Sequence, residues 1–124
     1  YTLNPETQNL DFEKLTTFVP DLSAWNGKPL HEVIQHVVDT YGTTHHIPGI
    51  EYWRWLIENP NKNPMGANIK DKTNWYFFPG SVLRGKGGSW IVPCAGWRGS
   101  EWDRRRLWLS SGWLGRYRVV LLEK

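Results

Sequence analysis

Arginine and tryptophan are interleaved between residues 97 and 118. If residues 104–109 form a strand, Arg104, Arg106 and Trp108 share one face, because side chains alternate between the faces of a strand. Guanidinium groups bind phosphates through paired hydrogen bonds, and flat indoles stack on bases. The pattern favours a surface that binds an anionic polymer, and single-stranded DNA or RNA is the preferred candidate for that ligand. The candidate ligand-binding residues are Arg98, Trp97, Trp102, Arg104, Arg106, Trp108, Trp113, Arg116, Arg118 and Lys86.

A second arginine strand is predicted at residues 116–123, where Arg116 and Arg118 share a face. Pairing of this strand with residues 104–109 would place all these arginines beside tryptophans. A purely structural interpretation stands next to this one, because arginine stacked on tryptophan also covers sheet faces. Glu101 and Asp103 would then pair with neighbouring arginines. Both interpretations stay open at this stage.

Glycans are an alternative ligand for the aromatic residues. Exposed tryptophans stack on the apolar faces of sugars, and carboxylate, amide and guanidinium groups hold the hydroxyls. Residues 74–76, or Trp97 together with Glu101, are candidates for such a platform. The excess of arginine favours a charged ligand over a neutral sugar.

A protein partner, including a second copy of the chain, is a further alternative. Trp53 and Trp55 are two residues apart on a predicted helix, so they do not both face one core. Trp55 is therefore a candidate interface residue, and Trp75 is another. Either would contribute to homo-oligomerisation through exposed aromatic side chains.

Neighbouring histidines define the enzymatic alternative. His45 and His46 precede the second predicted helix, with Glu51 as a candidate partner carboxylate. Histidine is a general acid or base near neutral pH, so these residues and nearby arginines would suit a small metal-independent nuclease. The competing interpretation places both histidines on an exposed loop. With four histidines and no acidic cluster beside them, no metal and no cofactor are expected.

The length of the chain, 124 residues, is that of one domain, residues 1–124. The single cysteine excludes an intramolecular disulfide. Apolar runs are far too short to span a bilayer, so a soluble protein without a membrane partner is expected. The first residues show no signal pattern, so the compartment is unknown, and a cytoplasmic location is only weakly preferred.

Charge divides the chain into two halves. Residues 1–69 carry four basic and eight acidic side chains, a net −4, whereas residues 70–124 carry eleven basic and four acidic ones, a net +7. The basic half also holds six of the nine tryptophans. This asymmetry indicates an anionic partner for one side of the molecule.

Two helices are predicted in the acidic half. The first carries an apolar stripe and ends at Gly42, which is expected to adopt the left-handed conformation. The second runs from Pro48–Gly49 to Asn59, with Tyr52 at the margin of its buried stripe. The first stripe consists of Leu30, Val33, Ile34, Val37, Val38 and Tyr41, and the second of Ile50, Trp53, Leu56 and Ile57.

After Ile69 the apolar period changes to about two residues, which predicts short strands. Pro79 and Pro93 are expected at strand ends, edges or bulges. Residues 84–89 and 110–115 are predicted to form hairpin turns, and Lys86 lies in the first. The predicted fold is α+β, with two amphipathic helices packed on one face of a curved antiparallel sheet formed mainly by residues 73–124. The candidate strands are 74–78, 81–84, 89–92, 95–98, 105–109 and 116–123.

Overall fold

The computed structural model describes residues 11–12, 16–59, 74–84, 87–97 and 102–124. The α-helices and strands in chain order are β1 (Thr17–Phe18), α1 (Leu30–Tyr41), β2 (His45–His46), α2 (Ile50–Glu58), β3 (Trp75–Phe77), β4 (Leu83–Arg84), β5 (Trp90–Trp97), β6 (Trp102–Trp108), β7 (Tyr117–Val119) and β8 (Leu121–Glu123). A short 3-10 helix (Ser23–Trp25) lies between β1 and α1. The α+β class, with helices packed on a mostly antiparallel sheet, is confirmed.

Helix α1 forms where the apolar stripe predicted it. Leu30, Val33 and Val37 are fully buried, whereas Val38, at the edge of the predicted stripe, is exposed. The prediction for Gly42 was wrong, because this residue has the φ of −61° of a right-handed helix. What favours glycine there is space, since a Cβ atom would lie 2.5 Å from the carbonyl oxygen of Val38.

Helix α2 also matches its predicted bounds. Ile50, Trp53 and Leu56 are buried as expected. Tyr52 was placed at the margin of the stripe, but it is fully buried against the rings of Phe12 and Phe78, at 4.9 and 5.6 Å between centroids. Aromatic partners from outside the helix therefore widen the buried face beyond the predicted stripe.

Strand β5 is the centre of the larger sheet, where it pairs with β6 on one side and with β4 and β3 on the other. The sequence predicted two strands separated by Pro93, yet the strand runs through this residue. The Pro93 carbonyl accepts a hydrogen bond from the Phe78 amide, so the Pro93 nitrogen lies on the same edge of β5, at the junction between β4 and β3. Because no strand residue is paired there, the lack of an N–H group does not interrupt the ladder.

The two arginine strands do not pair with each other. β6 pairs with β5, and β7 lies parallel to β3. The segment 110–115 is therefore no hairpin turn. Instead, the segment bonds to the residues that lead into α1. The Ser111 carbonyl accepts a hydrogen bond from the Leu30 amide, and the Trp113 amide donates one to the Lys28 carbonyl. This contact ties the start of α1 to the end of β6.

The C-terminal segment links both sheets of the described structure. β7 belongs to the larger sheet, and β8 lies between β1 and β2 in a three-stranded sheet. The amide of Val120, between β7 and β8, donates to the carbonyl of Phe77. All four residues from Val119 to Leu122 are fully buried, so this segment is central to the core.

The two helices pack into two different apolar clusters instead of sharing one face. α2 lies in the cluster that contains Ala95 and Trp97, whereas α1 lies in the cluster that contains Val92 and Cys94. Even-numbered and odd-numbered residues of β5 point to opposite faces. Each helix therefore covers its own face of the sheet. Among the residues that the structure describes, no helix is long and apolar enough to cross a membrane.

Candidate nucleic-acid interface

Strand β6 carries three consecutive exposed arginines, Arg104, Arg105 and Arg106. Its partner residues in β5 are Ala95 for Arg104 and Pro93 for Arg106. In the described part of the chain β6 pairs only with β5, so its other edge carries no strand there. We call Arg104, Arg106 and Trp108 the arginine face, because alternation places them on one side of β6, about 7 Å apart in succession.

Arg105 points to the opposite side of β6 and has a structural role. Its guanidinium carbon lies 4.9 Å from the centre of the Trp75 ring, and its Nε lies 3.5 Å from a carboxylate oxygen of Asp103. Gly96 allows this packing, because a Cβ atom there would lie 3.0 Å from the Trp75 ring. Arginine on tryptophan therefore covers one side of β6, as the structural interpretation predicted.

The arginine face borders a hollow of about 360 Å³ lined by Trp53 and the arginines of β6. The Trp53 indole nitrogen donates a 2.8 Å hydrogen bond to the Cys94 carbonyl, which fixes the ring. Arg106 lies over that ring, 6.0 Å from its centre. Arg104 and Arg106 lie on the same side of β6 as this hollow, and their guanidinium groups make it suited to an anion.

Three of the four tryptophans expected to stack on bases are core residues. Trp97, Trp102 and Trp113 are 9, 6 and 1 % exposed. The rings of Trp97 and Trp102 meet edge to face at 5.3 Å, and Trp113 packs on Phe77 at 5.5 Å. These indoles are not accessible to a ligand in this structure. Trp108, in contrast, is 61 % exposed.

The remaining predicted arginines lie elsewhere. Arg118 is half-buried and its guanidinium donates to the carbonyl of Tyr117 at 2.8 Å. Arg116 is exposed beside β7. Because β5 and β3 separate β7 from β6, these two arginines are about 14 Å from the arginine face. Arg98 and Lys86 lie outside the residues that the structure describes.

Trp90 is an exposed indole that the sequence reasoning did not single out. It is the first residue of β5, it is 47 % exposed, and the Arg84 guanidinium lies over its ring at 5.3 Å. A signal was present in the sequence. A tryptophan that directly follows a predicted hairpin turn lies at the end of a sheet, where less chain covers it.

The two histidines form strand β2 and pair with β8. Adjacent residues in a strand point to opposite faces, so His45 and His46 do not face one substrate. The His45 ring stacks on Phe18 at 4.8 Å, and its Nδ1 lies 2.8 Å from the Thr44 hydroxyl. A carboxylate oxygen of Glu51 accepts a hydrogen bond from the Gly49 amide at the start of α2. These contacts stabilise the fold and do not assemble an acid and a base at one point.

The proposed sugar platforms and the protein interface are also largely covered. Tyr76 is buried, and Trp75 lies against Gly96 and Arg105. Trp55 is half-buried and lies 6.0 Å from the rings of both Phe12 and Tyr52. Glu101 lies outside the described residues.

Cys94 is a buried thiol, as expected for a lone cysteine in an apolar segment. Burial raises its pKa to about 12, so it is protonated at neutral pH. Within the described ranges, no three histidine, cysteine or acidic side chains form a group that would hold a metal ion.

Comparison of the chain with protein families, with curated proteins and with solved structures finds no match.

Proposed function

We propose that this protein binds an anionic polymer without catalysis, and that its preferred ligand is single-stranded nucleic acid. The observation that carries the proposal is the arginine face, where Arg104 and Arg106 are exposed on one side of β6 and followed by the exposed indole of Trp108. Guanidinium groups hold the phosphates, and the indole stacks on a base without regard to sequence.

Local charge supports an anionic ligand. The half of the chain from residue 70 onwards has a net charge of +7. Asp103 pairs with Arg105 on the opposite side of β6. Arg104 and Arg106 are exposed to solvent, so their positive charge can contact phosphates.

The geometry favours binding over nuclease activity. His45 and His46 are on opposite faces of β2, and His45 is engaged by Phe18 and Thr44. A general acid and a general base must both reach the scissile phosphate. The arginine face has no such pair among its own residues.

The proposal is tested by the anisotropy of a labelled oligothymidylate of about 12 nucleotides, measured at several salt concentrations. Binding is expected to weaken steeply as salt increases, because each phosphate contact releases counterions. The double variant Arg104→Ala/Arg106→Ala should reduce the slope of log K against log salt by about 1.4, since each single-strand contact contributes about 0.7.

The matched control is Arg116→Ala, which removes an exposed arginine beside β7, a strand separated from β6 by β5 and β3. It should change affinity much less than either β6 substitution. Absence of oligonucleotide binding at low salt would refute the proposal. Fragmentation of the oligonucleotide that is abolished by His45→Ala or His46→Ala would establish the enzymatic alternative instead.

A further inference from the structure

A cavity of about 320 Å³ lies where residues 19–26, between β1 and α1, meet residues 113–118, which run into β7. This volume is within the range of about 300–1,000 Å³ of small-molecule sites. We call it the β7 cavity. Its wall combines apolar side chains with one carboxylate, one amide and one guanidinium group. These side chains include Val19, Leu22, Trp113, Asp21, Asn26 and Arg118.

Backbone hydrogen bonds join the two walls of the β7 cavity. The Gly27 amide donates to the Trp113 carbonyl, and the Trp113 amide donates to the Lys28 carbonyl, both at 2.8 Å. Trp113 is itself fully buried and packs on Phe77, so this wall is anchored in the core. A wall that is fixed before binding reduces the entropic cost of ordering it.

The guanidinium group of Arg118 is fixed by backbone carbonyls and keeps donors for a ligand. Its Nη1 donates to the carbonyls of Gly115 and Tyr117, which sets the orientation of the group. The Nε and Nη2 atoms carry further N–H groups. In the part of the chain that the structure describes, no residue accepts a hydrogen bond from them. Such a pair of nitrogens binds a carboxylate through two parallel hydrogen bonds.

Asp21 supplies the opposite charge to the same cavity. Its Oδ1 accepts a 3.0 Å hydrogen bond from the Ser23 amide, which orients the carboxylate. Hydrogen bonds from Ser23, together with attraction to Arg118, lower the pKa of Asp21, so it is ionised at neutral pH. These two described residues form no ion pair with each other. Both charges therefore remain able to contact a ligand.

We propose that the β7 cavity binds a small zwitterion, an α-amino acid with an apolar side chain. Arg118 holds the α-carboxylate, Asp21 holds the α-ammonium group, and Val19 and Leu22 contact the side chain. The lining residues carry one positive and one negative charge, which matches a ligand whose own charges cancel. This site is separate from the arginine face and adds a second ligand to the proposed function.

A sugar or a phosphate fits the β7 cavity less well than an amino acid. A sugar stacks on an open aromatic face. Trp113 is fully buried, and the Tyr117 ring packs on Phe77 at 4.9 Å and on Trp113 at 5.5 Å, so little aromatic surface is left for stacking. The carboxylate of Asp21 repels a phosphate.

The test compares three leucine derivatives by NMR chemical-shift titration of the protein at neutral pH. L-leucine carries both charges, N-acetyl-L-leucine lacks the ammonium group, and L-leucinamide lacks the carboxylate. L-leucine should bind about 10-fold more tightly than either derivative, because each blocked group loses a hydrogen bond to a charged side chain. The shifted signals should include the Ser23 amide, which bonds to Asp21.

Two conservative variants assign the charges to residues. Asp21→Asn keeps an oxygen for the Ser23 amide, so it should weaken L-leucine binding about 10-fold and leave N-acetyl-L-leucine binding unchanged. Arg118→Lys keeps the positive charge without the paired N–H groups, so it should weaken L-leucine binding and leave L-leucinamide binding unchanged. The matched controls are Asp39→Asn and Arg116→Lys, which alter exposed charges outside the cavity and should change no affinity.

The comparison on the unaltered protein decides the inference even if a variant does not fold. Equal affinity for the three derivatives would overturn it, because the cavity would then recognise only the apolar side chain. Absence of L-leucine binding at about 20 mM would also overturn it. Binding of glucose that Asp21→Asn abolishes would assign the cavity to a sugar instead. L-leucine should not displace the labelled oligothymidylate, so none of these results bears on the arginine face.

Discussion

The two ends of the β5–β6 pair contain the same residue type in opposite environments. At one end, Trp97 and Trp102 are direct partners across the strands and are almost fully buried. At the other end, Trp90 and Trp108 are 47 and 61 % exposed. Both ends belong to one antiparallel ladder, so strand pairing does not explain the difference. Tryptophan content therefore indicates a function only where no other part of the chain covers the ring.

The covered end is buried by elements that come from elsewhere in the chain. Trp53 of α2 and Tyr76 of β3 share a cluster with Trp97 and Trp102, and Tyr76 meets Trp102 edge to face at 6.5 Å. The open end adjoins the two-residue strand β4 instead. A strand that short provides little apolar surface to cover an indole. The open end is therefore the part of the ladder where indole surface is exposed to solvent.

The largest effect is expected on the free energy of unfolding. The test removes one indole from each end of the β5–β6 pair. Trp102→Ala should lower the free energy of unfolding by about 3–5 kcal/mol, because it leaves a cavity in the core. Trp108→Ala should change it by less than about 0.5 kcal/mol, since its ring is mostly in water. Urea denaturation monitored by circular dichroism measures the free energy of unfolding of both variants. Similar losses from the two variants would show that the ends are not different.

An intermediate effect is expected from two glycines that differ in the space around them. Gly80 lies against the segment that enters α2, and a Cβ atom there would be 2.1 Å from the Ile47 carbonyl oxygen. Gly80→Ala should therefore destabilise the protein by about 1–3 kcal/mol, because backbone must move. Gly87, in the turn before β5, has open space around it, and Gly87→Ala is the matched control with an effect within about 0.5 kcal/mol. Equal melting temperatures for the two variants would contradict this account.

The smallest effect concerns Cys94, which lies between the two ends of β5. Burial raises its pKa from 9.0 to about 12 in the folded state. The unfolded chain therefore releases the thiol proton at a lower pH, so stability falls as the pH rises above 9 and continues to fall until about 12. The loss should reach about 1.4 kcal/mol at pH 10.

Cys94→Ala should remove this contribution, so the stability of the variant should fall less between pH 8 and 10 than that of the wild type, by about 1.4 kcal/mol. Denaturant titrations at the two pH values give the difference. Parallel pH profiles for wild type and variant would show that the thiol is less buried than the structure has it.

Local patterns were sufficient to predict several parts of this fold and site. The spacing of Leu30, Val33 and Val37 predicts α1, since a helix repeats every 3.6 residues. Alternation predicts that Arg104, Arg106 and Trp108 share a face, because a strand repeats every two residues. The structure agrees with both patterns.

Contacts between distant segments were not predictable in the same way. The sequence suggested that the strands carrying Arg104 and Arg116 would pair, but β5 and β3 lie between them. The sequence predicted that Pro93 separates two strands, because a sequence does not show which edge of a strand lacks a partner. The cleft lined by residues 31, 90 and 108 was not predicted, because these residues are far apart in the sequence.

The sequence by itself determined the two helices, the basic C-terminal half and the alternation of arginine and tryptophan, because each depends on neighbours a few residues away. Only the tertiary structure decided which indoles are buried. Trp97, Trp102 and Trp113 became core residues, and Trp90 and Trp108 remained exposed. The physical reason is that burial depends on the surfaces that packing brings onto a ring, and those surfaces come from remote parts of the chain.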